Sequence, residues 1–358
     1  MTTTPSLRCL ERLLSSRSLP AESVLEVARR YPFQATSHFL GLLREPGDPL
    51  WRQVVPDPRE LENNEGWDDP LAEEALSPVP HLVHRYPDRV LWLVAEECAI
   101  HCRFCTRKRR WRQSDGMTAE QLDAALDYVR GHREIRDVLL SGGDPLMLPV
   151  ERLTSILSRL RAIDHVEIIR IGTRVPVAAP QRVTGVLAQS LGKYHPLYMN
   201  IHFNHPLEIT AETVRACNRL ADAGIPLGSQ TVLLKDVNDH PEVLGNLFKR
   251  LLRIRVRPYY LLQMDLTRST AHFRTPISTG LQIIRALRNR ISGLALPQLV
   301  LDLPGGHGKI PLVPRYVDRL ETDRLELTNF RDERCAYPLL PGESEDLQEW
   351  LHGSQRRS

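Results

Sequence analysis

Cys98, Cys102 and Cys105 fall in the run Cys98-Ala-Ile-His-Cys102-Arg-Phe-Cys105, with three residues in the first gap and two in the second. Iron–sulfur clusters are ordinarily held by four thiolates. A local set of three leaves one iron of a cubane without a protein ligand, and an open metal position is where small molecules react. A structural zinc site would need a fourth N or S ligand. His101 lies between the thiols, where convergence on one tetrahedral ion is unfavourable. The remaining Cys9, Cys217 and Cys335 are scattered and form no disulfide framework. The spacing therefore favours an open iron–sulfur cluster over zinc or an unmetallated set.

A second constellation is Asp302-Leu-Pro-Gly305-Gly306-His307-Gly308-Lys309. Glycines around His307 give close backbone access, and a lysine on such a loop is a candidate Schiff-base residue for pyridoxal phosphate. In isolation, a surface lysine beside a Gly-rich turn is the commoner reading. The spacing is not that of a P-loop. Asp265 and Asp302 each follow an apolar run and need a cation or donors to stay charged. An internal arginine and a substrate ammonium are about equally good partners. The basic run Arg107 to Arg112, beside the thiols, suits either a solvated loop or an anion site.

Strands alternating with amphipathic helices from residue 89 onward would position these residues. Strands are expected over residues 90–95, 137–140, 166–171, 197–202, 226–234, 258–263 and 298–303, with helices over 118–130, 150–161, 211–223 and 241–253. That order predicts an α/β protein whose parallel sheet curls into a partial (β/α)6 barrel. Polar or Gly-rich motifs follow the strands: Ser141-Gly142-Gly143-Asp144, Gly172-Thr-Arg174, His202 and Met264-Asp265, with Gln230 inside the fifth strand. Their common place is the C-terminal rim, the catalytic face of βα barrels. Residues 1–88 read as a helical, Pro-rich wrapping segment, 89–315 as the barrel core, and 316–358 as a charged tail.

A hydrophobic fraction of 42% and a charged fraction of 25% are those of an ordinary soluble protein. A net charge of +3 gives no reason to expect nucleic acid. No apolar run approaches the ~20 residues needed to cross a bilayer, and the first residues lack an apolar signal core. A cytoplasmic protein with reduced thiols is expected.

Taken together, the motifs resemble the radical S-adenosylmethionine superfamily and, within it, the lysine 2,3-aminomutase family. The resemblance is carried by Ser77–Leu91, Cys98–Arg109, Ser141–Leu146, Arg170–Arg174, Arg255–Tyr260, Ala271–Arg274 and Pro304–Lys309, and runs from about Tyr31 to about Tyr337. It implies a radical S-adenosylmethionine type of barrel and a 4Fe–4S cluster on Cys98, Cys102 and Cys105. S-adenosylmethionine would be cradled by Ser141, Gly142, Gly143, Asp144, His202 and Gln230. Lys309 would be the residue that carries pyridoxal phosphate, with Arg85 and Arg89 toward its phosphate. Arg107 would take the substrate α-carboxylate, and Asp265 with Asp302 the distal ammonium of L-lysine. The implied reaction moves the α-amino group to the β-carbon, giving β-lysine, with flavodoxin or ferredoxin as electron donor.

The resemblance has departures. Longer members bind zinc at a subunit interface through a C-terminal cysteine cluster, whereas here the tail has only Cys335, so no structural zinc is expected. A homo-oligomer would need another interface. His307 replaces a glycine of the family loop, and Met264 a frequent cysteine. The alternatives are the enzyme that makes (R)-β-lysine for elongation factor P, and an arginine 2,3-aminomutase, since a guanidinium carries the same distal charge. A partner-binding iron–sulfur or zinc protein without catalysis would need neither Lys309 nor the aspartates.

Overall fold

Branched and aromatic residues run together where the sheet forms. The computed structural model describes residues 5–62, 65–112 and 116–352. Its first two strands, β1 (Leu82–Tyr86) and β2 (Arg89–Ala95), pair antiparallel. From β2 the sheet continues in parallel and in chain order through β3 (Asp137–Gly142), β4 (Ile168–Thr173), β5 (Leu197–His202), β6 (Leu227–Leu233), β7 (Val256–Gln263) and β8 (Gln298–Leu303). The last strand, β9 (Gly308–Pro311), turns back antiparallel on β8.

Parallel neighbours require long crossovers, and a helix supplies each one: Ala119–Gly131, Val150–Arg161, Gly185–Leu191, Ala211–Asp222, Pro241–Arg253 and Ile277–Leu287. Local chemistry starts several of them. Thr118 and Gln121 form a reciprocal capping box, and the Thr210 hydroxyl accepts the Thr213 N–H. Pro241 occupies a first turn, where its missing N–H costs nothing.

The expected βα barrel is therefore present, with β1 and β9 added at its two ends. The expected wrapping segment up to residue 88 is helical at Pro5–Ser15, Glu22–Arg30 and Pro49–Val54, but it also contributes β1. Leu10, Phe33, Phe39 and Leu50 join Trp92, Ile169 and Met199 in one continuous core, so this segment is packed onto the barrel. A fully buried Leu or Phe stabilises by about 1.5–3 kcal/mol. The tail forms a small antiparallel sheet of β10 (Val317–Leu320), β11 (Arg324–Thr328) and β12 (Arg334–Pro338), then a helix, Glu343–His352.

No backbone pairing joins β1 to β9 among the described residues, so no backbone ladder closes the barrel along that seam. Among the same residues, no helix is long and apolar enough to cross a membrane.

Candidate active site

The three thiols lie on the loop after β2, at the C-terminal rim. Backbone bonds fix that loop: Gly143 N–H donates to the Ala95 carbonyl (2.6 Å), Asp144 N–H to Glu97 (2.7 Å) and Arg103 N–H to Gln53 (2.9 Å). Gly142 has φ +116°, and a Cβ there would lie 2.1 Å from the Ala95 oxygen, so only glycine allows β3 to pass this close. His101, stacked on Trp111 with ring centroids 4.4 Å apart, places Nδ1 2.9 Å from the Pro32 carbonyl. It is thus engaged structurally, and burial lowers its pKa to about 4.

Burial, then the neighbouring Cys105 and Asp144, holds the Cys98 thiol well above its ordinary pKa. Burial, followed by Cys102, raises Cys105 to about 11. Metals bind the thiolate, so a cation must supply what this site withholds from a free thiolate. Two donors are already aimed at sulfur: Arg174 Nη1 lies 2.7 Å from Cys102 Sγ, and the Arg107 N–H 3.3 Å from Cys105 Sγ. Three half-buried thiols with such donors, two of them facing a cleft, fit an iron–sulfur cluster. A cleft lined by Cys98, Cys105, Arg107, Gly142 and Gly143 opens beside them.

A buried ion cluster anchors the same loop from behind. Glu60 accepts from Arg103 Nε (2.9 Å) and Nη2 (2.6 Å) and from Lys108 Nζ (2.6 Å), and both Glu60 and Arg103 are wholly buried. Burial lowers the Lys108 pKa to about 8 although Glu60 opposes it.

The second constellation assembles across the seam. In the β8–β9 register Asp302 faces Lys309, and Lys309 Nζ is paired with Asp302 Oδ2. From β1, Arg85 Nη1 reaches Asp302 Oδ1 at 2.7 Å, and the Tyr86 hydroxyl accepts the Lys309 N–H at 3.1 Å. A register slip in β1 between Val83 and Tyr86 accompanies the presentation of both neighbours to the seam. Gly306, at φ +81°, packs against residues 71–76; a Cβ would come within 2.9 Å of the Leu71 oxygen and 2.4 Å of the Leu76 side chain.

The two aspartates fare differently. Asp302 is buried and has internal cations, whereas no side chain among the described residues donates to Asp265. Burial, with Asp302 adding to it and Lys309 and Arg85 opposing, raises Asp265 to about 7. Glu73 also acts on Asp265, and Glu73 is the partner of Arg107. The thiol side and the lysine side therefore share one electrostatic neighbourhood.

Arg107 is not free. Its Nε donates to Glu73 Oε2 (2.9 Å), its Nη2 to Oε1 (2.6 Å) and its Nη1 to Ser141 Oγ (3.3 Å). Burial pushes the Glu73 carboxyl up, but Arg107, helped by Arg109 and Arg110, carries it below the ordinary range. Asp144 accepts from Thr173 Oγ1 (2.7 Å) and from the N–H groups of Arg174 (2.7 Å), Leu146 (3.0 Å) and Val175 (3.1 Å), so its carboxylate is spent on the rim itself. His202 Nε2 is 3.0 Å from Asn204 Oδ1, and burial followed by Arg174 lowers its pKa to about 3, so the ring is neutral. Gln230 is the register partner of His202. Arg89 is more exposed, lying over the Tyr86 ring at 4.3 Å.

Glu73, Glu60 and Tyr86 carry no local sequence signal. Their partners Arg107, Arg103 and Lys309 lie 34, 43 and 223 residues away. Arg174 stood inside a recognised motif, but only the structure gives it a contact.

Comparison with known proteins adds independent findings. Residues 92–247 match the profile described as Radical SAM superfamily, and residues 284–349 the one described as Lysine-2,3-aminomutase. Over 320 residues the chain is 49% identical to the L-lysine 2,3-aminomutase of Clostridium subterminale, covering 88% of this chain and 77% of that protein. It is 50% identical over 306 residues to the L-lysine 2,3-aminomutase of Acetoanaerobium sticklandii, covering 84% and 74%. The glutamate 2,3-aminomutase of Clostridioides difficile is 40% identical over 321 residues, covering 89% and 76%.

Proposed function

The chain belongs to the lysine 2,3-aminomutase family of the radical S-adenosylmethionine superfamily, and from that premise we propose how its residues divide the reaction. It is an isomerase that moves the α-amino group of L-lysine to the β-carbon, giving β-lysine. S-adenosylmethionine and a 4Fe–4S cluster come with the superfamily. Pyridoxal phosphate is the third cofactor in this reading, and a low-potential one-electron donor such as flavodoxin or ferredoxin completes the system.

When bound, the cluster with S-adenosylmethionine supplies a carbon radical and pyridoxal phosphate a delocalising ring. Cys98, Cys102 and Cys105 would hold the cluster. Ser141, Gly142, Gly143, His202 and Gln230 would bind S-adenosylmethionine, with Asp144 bracing the loop from inside. Lys309 would carry the pyridoxal phosphate, and Arg85 and Arg89 would bind its phosphate. Arg107 releases Glu73 to grip the substrate carboxylate, for which its planar fork is suited. Asp302, released from Lys309, joins Asp265 around the distal ammonium. Fixing both ends of lysine would hold its carbon chain in a single position in the site.

The observation that carries this reading is the meeting of Arg85, Asp302 and Lys309 at the seam, in the same electrostatic neighbourhood as the open carboxylate of Asp265. The aspartate pair also selects lysine over glutamate, because a substrate side-chain carboxylate would face two more. The test is anaerobic reconstitution with iron, sulfide and pyridoxal phosphate, followed by chiral analysis of the product from L-lysine. (S)-β-lysine is expected. Exclusive (R)-β-lysine would favour the elongation factor P type, and conversion of arginine alone would move the substrate.

Asp265 gives this reading a pH signature. With a pKa of about 7 in the free protein, the carboxyl is neutral below that pH and cannot attract an ammonium. The expected result is a kcat/KM for L-lysine that falls about tenfold per unit below pH 7. Asp265→Asn should give a lower and flat profile. A wild-type profile flat from pH 6 to 7.5 would remove Asp265 from substrate binding.

A further inference from the structure

Arg174 places a buried positive charge against one cluster thiol, and we propose that it sets the electron affinity of the 4Fe–4S cluster through Cys102. The proposal rests on the cluster reading above. Arg174 follows β4, and its Nη1 lies 2.7 Å from Cys102 Sγ. The guanidinium is 7% exposed and is flanked by the rings of Phe39 and Phe104 at 5.7 and 5.4 Å, so water does little to screen it. Its other end is fixed: Nη2 donates to Glu208 Oε1 (2.8 Å) and to Gln53 Oε1 (2.5 Å), and its backbone N–H donates to Asp144. Among the described residues, no side chain donates in this way to Cys98 or Cys105. The contact singles out one of the three iron ligands.

Reduction adds one electron, delivered by a one-electron protein donor, and makes the cluster more negative by one charge. A hydrogen bond from a cation to a ligating sulfur stabilises the reduced form more than the oxidised one, and so raises the potential. Glu208, wholly buried, works against this by neutralising part of the guanidinium charge. Arg174 and Glu208 therefore act on the cluster in opposite directions. A merely structural pair would not do so.

The experiment is EPR-monitored potentiometry of the reconstituted enzyme without S-adenosylmethionine, so that no turnover occurs. Arg174→Gln is expected to lower the equilibrium constant for reduction about tenfold, equivalent to a ~59 mV fall for a one-electron couple. Arg174→Lys, which keeps the charge, should stay closer to wild type, and Glu208→Gln should shift the potential upward. If Arg174→Gln does not retain its iron, Glu208→Gln decides alone: an upward shift supports the proposal, an unchanged potential overturns it. Fully loaded variants with the wild-type potential, or a rise in Arg174→Gln, also overturn it. A wild-type protein that shows no iron–sulfur signal at all would instead count against the cluster reading.

Discussion

Lys309→Ala is expected to lower β-lysine formation at least about a thousandfold if, as proposed, Lys309 carries pyridoxal phosphate, because no neighbouring group could take over that attachment. The chain around it should survive. Lys309 is a partly exposed member of an ion pair, and Asp302 keeps Arg85 when the lysine is gone. Iron content and unfolding midpoint should stay near wild type, while absorbance at about 400–420 nm in the presence of pyridoxal phosphate disappears. Lys309→Arg separates the two roles of this residue. It keeps a cation opposite Asp302 but no condensable amine, so it should fold as well as wild type and remain inactive. Substantial activity in either variant would remove Lys309 from the chemistry.

Glu60→Gln should damage the fold more than any exposed substitution nearby. Arg103 and Lys108 both rely on that carboxylate, and all three groups are buried. Breaking a buried ion pair by removing one partner costs about 3–5 kcal/mol, because the remaining charge loses its compensation. Glu62 on the same turn is exposed, and Glu62→Gln should change stability by less than about 0.5 kcal/mol. Urea unfolding of the metal-free chain measures both. Because Arg103 and Lys108 flank Cys105, the reconstituted Glu60→Gln protein should also hold less iron. Equal midpoints for the two variants would refute the anchoring role.

The barrel was legible wherever apolar periodicity was long. Leu197–His202, Gln298–Leu303 and the helices Val150–Arg161 and Pro241–Arg253 fall where the pattern placed them. β1 and β9 escaped because they are short and carry His84, Arg85, Lys309 and Pro311, residues that give no strand signal. The chemistry-bearing residue types could be read from spacing and motif, but their pairings could not. Arg85 and Asp302 are 217 residues apart, and only the curl of the sheet brings them to 2.7 Å. The question left open by sequence, whether an internal cation or a ligand partners the aspartates, divides between them: Asp302 is ion-paired with Arg85 and Lys309, whereas among the described residues no side chain donates to Asp265. Glu60 shows the opposite failure. In Arg59-Glu-Leu-Glu nothing in the sequence separates it from Glu62, yet it is among the most buried charges of the described residues.

The unpaired seam between β1 and β9 has a mechanical consequence. A ladder of backbone hydrogen bonds would bind those two strands regardless of what occupies the site. Here the join includes Arg85, Tyr86, Asp302 and Lys309, groups whose partners can be exchanged one at a time. A barrel fastened this way behaves as a clasp: any ligand that takes Asp302 or Lys309 for itself undoes part of the fastening and must supply the tie in its place. The stiffness of the structure at this point is therefore a property of its occupancy.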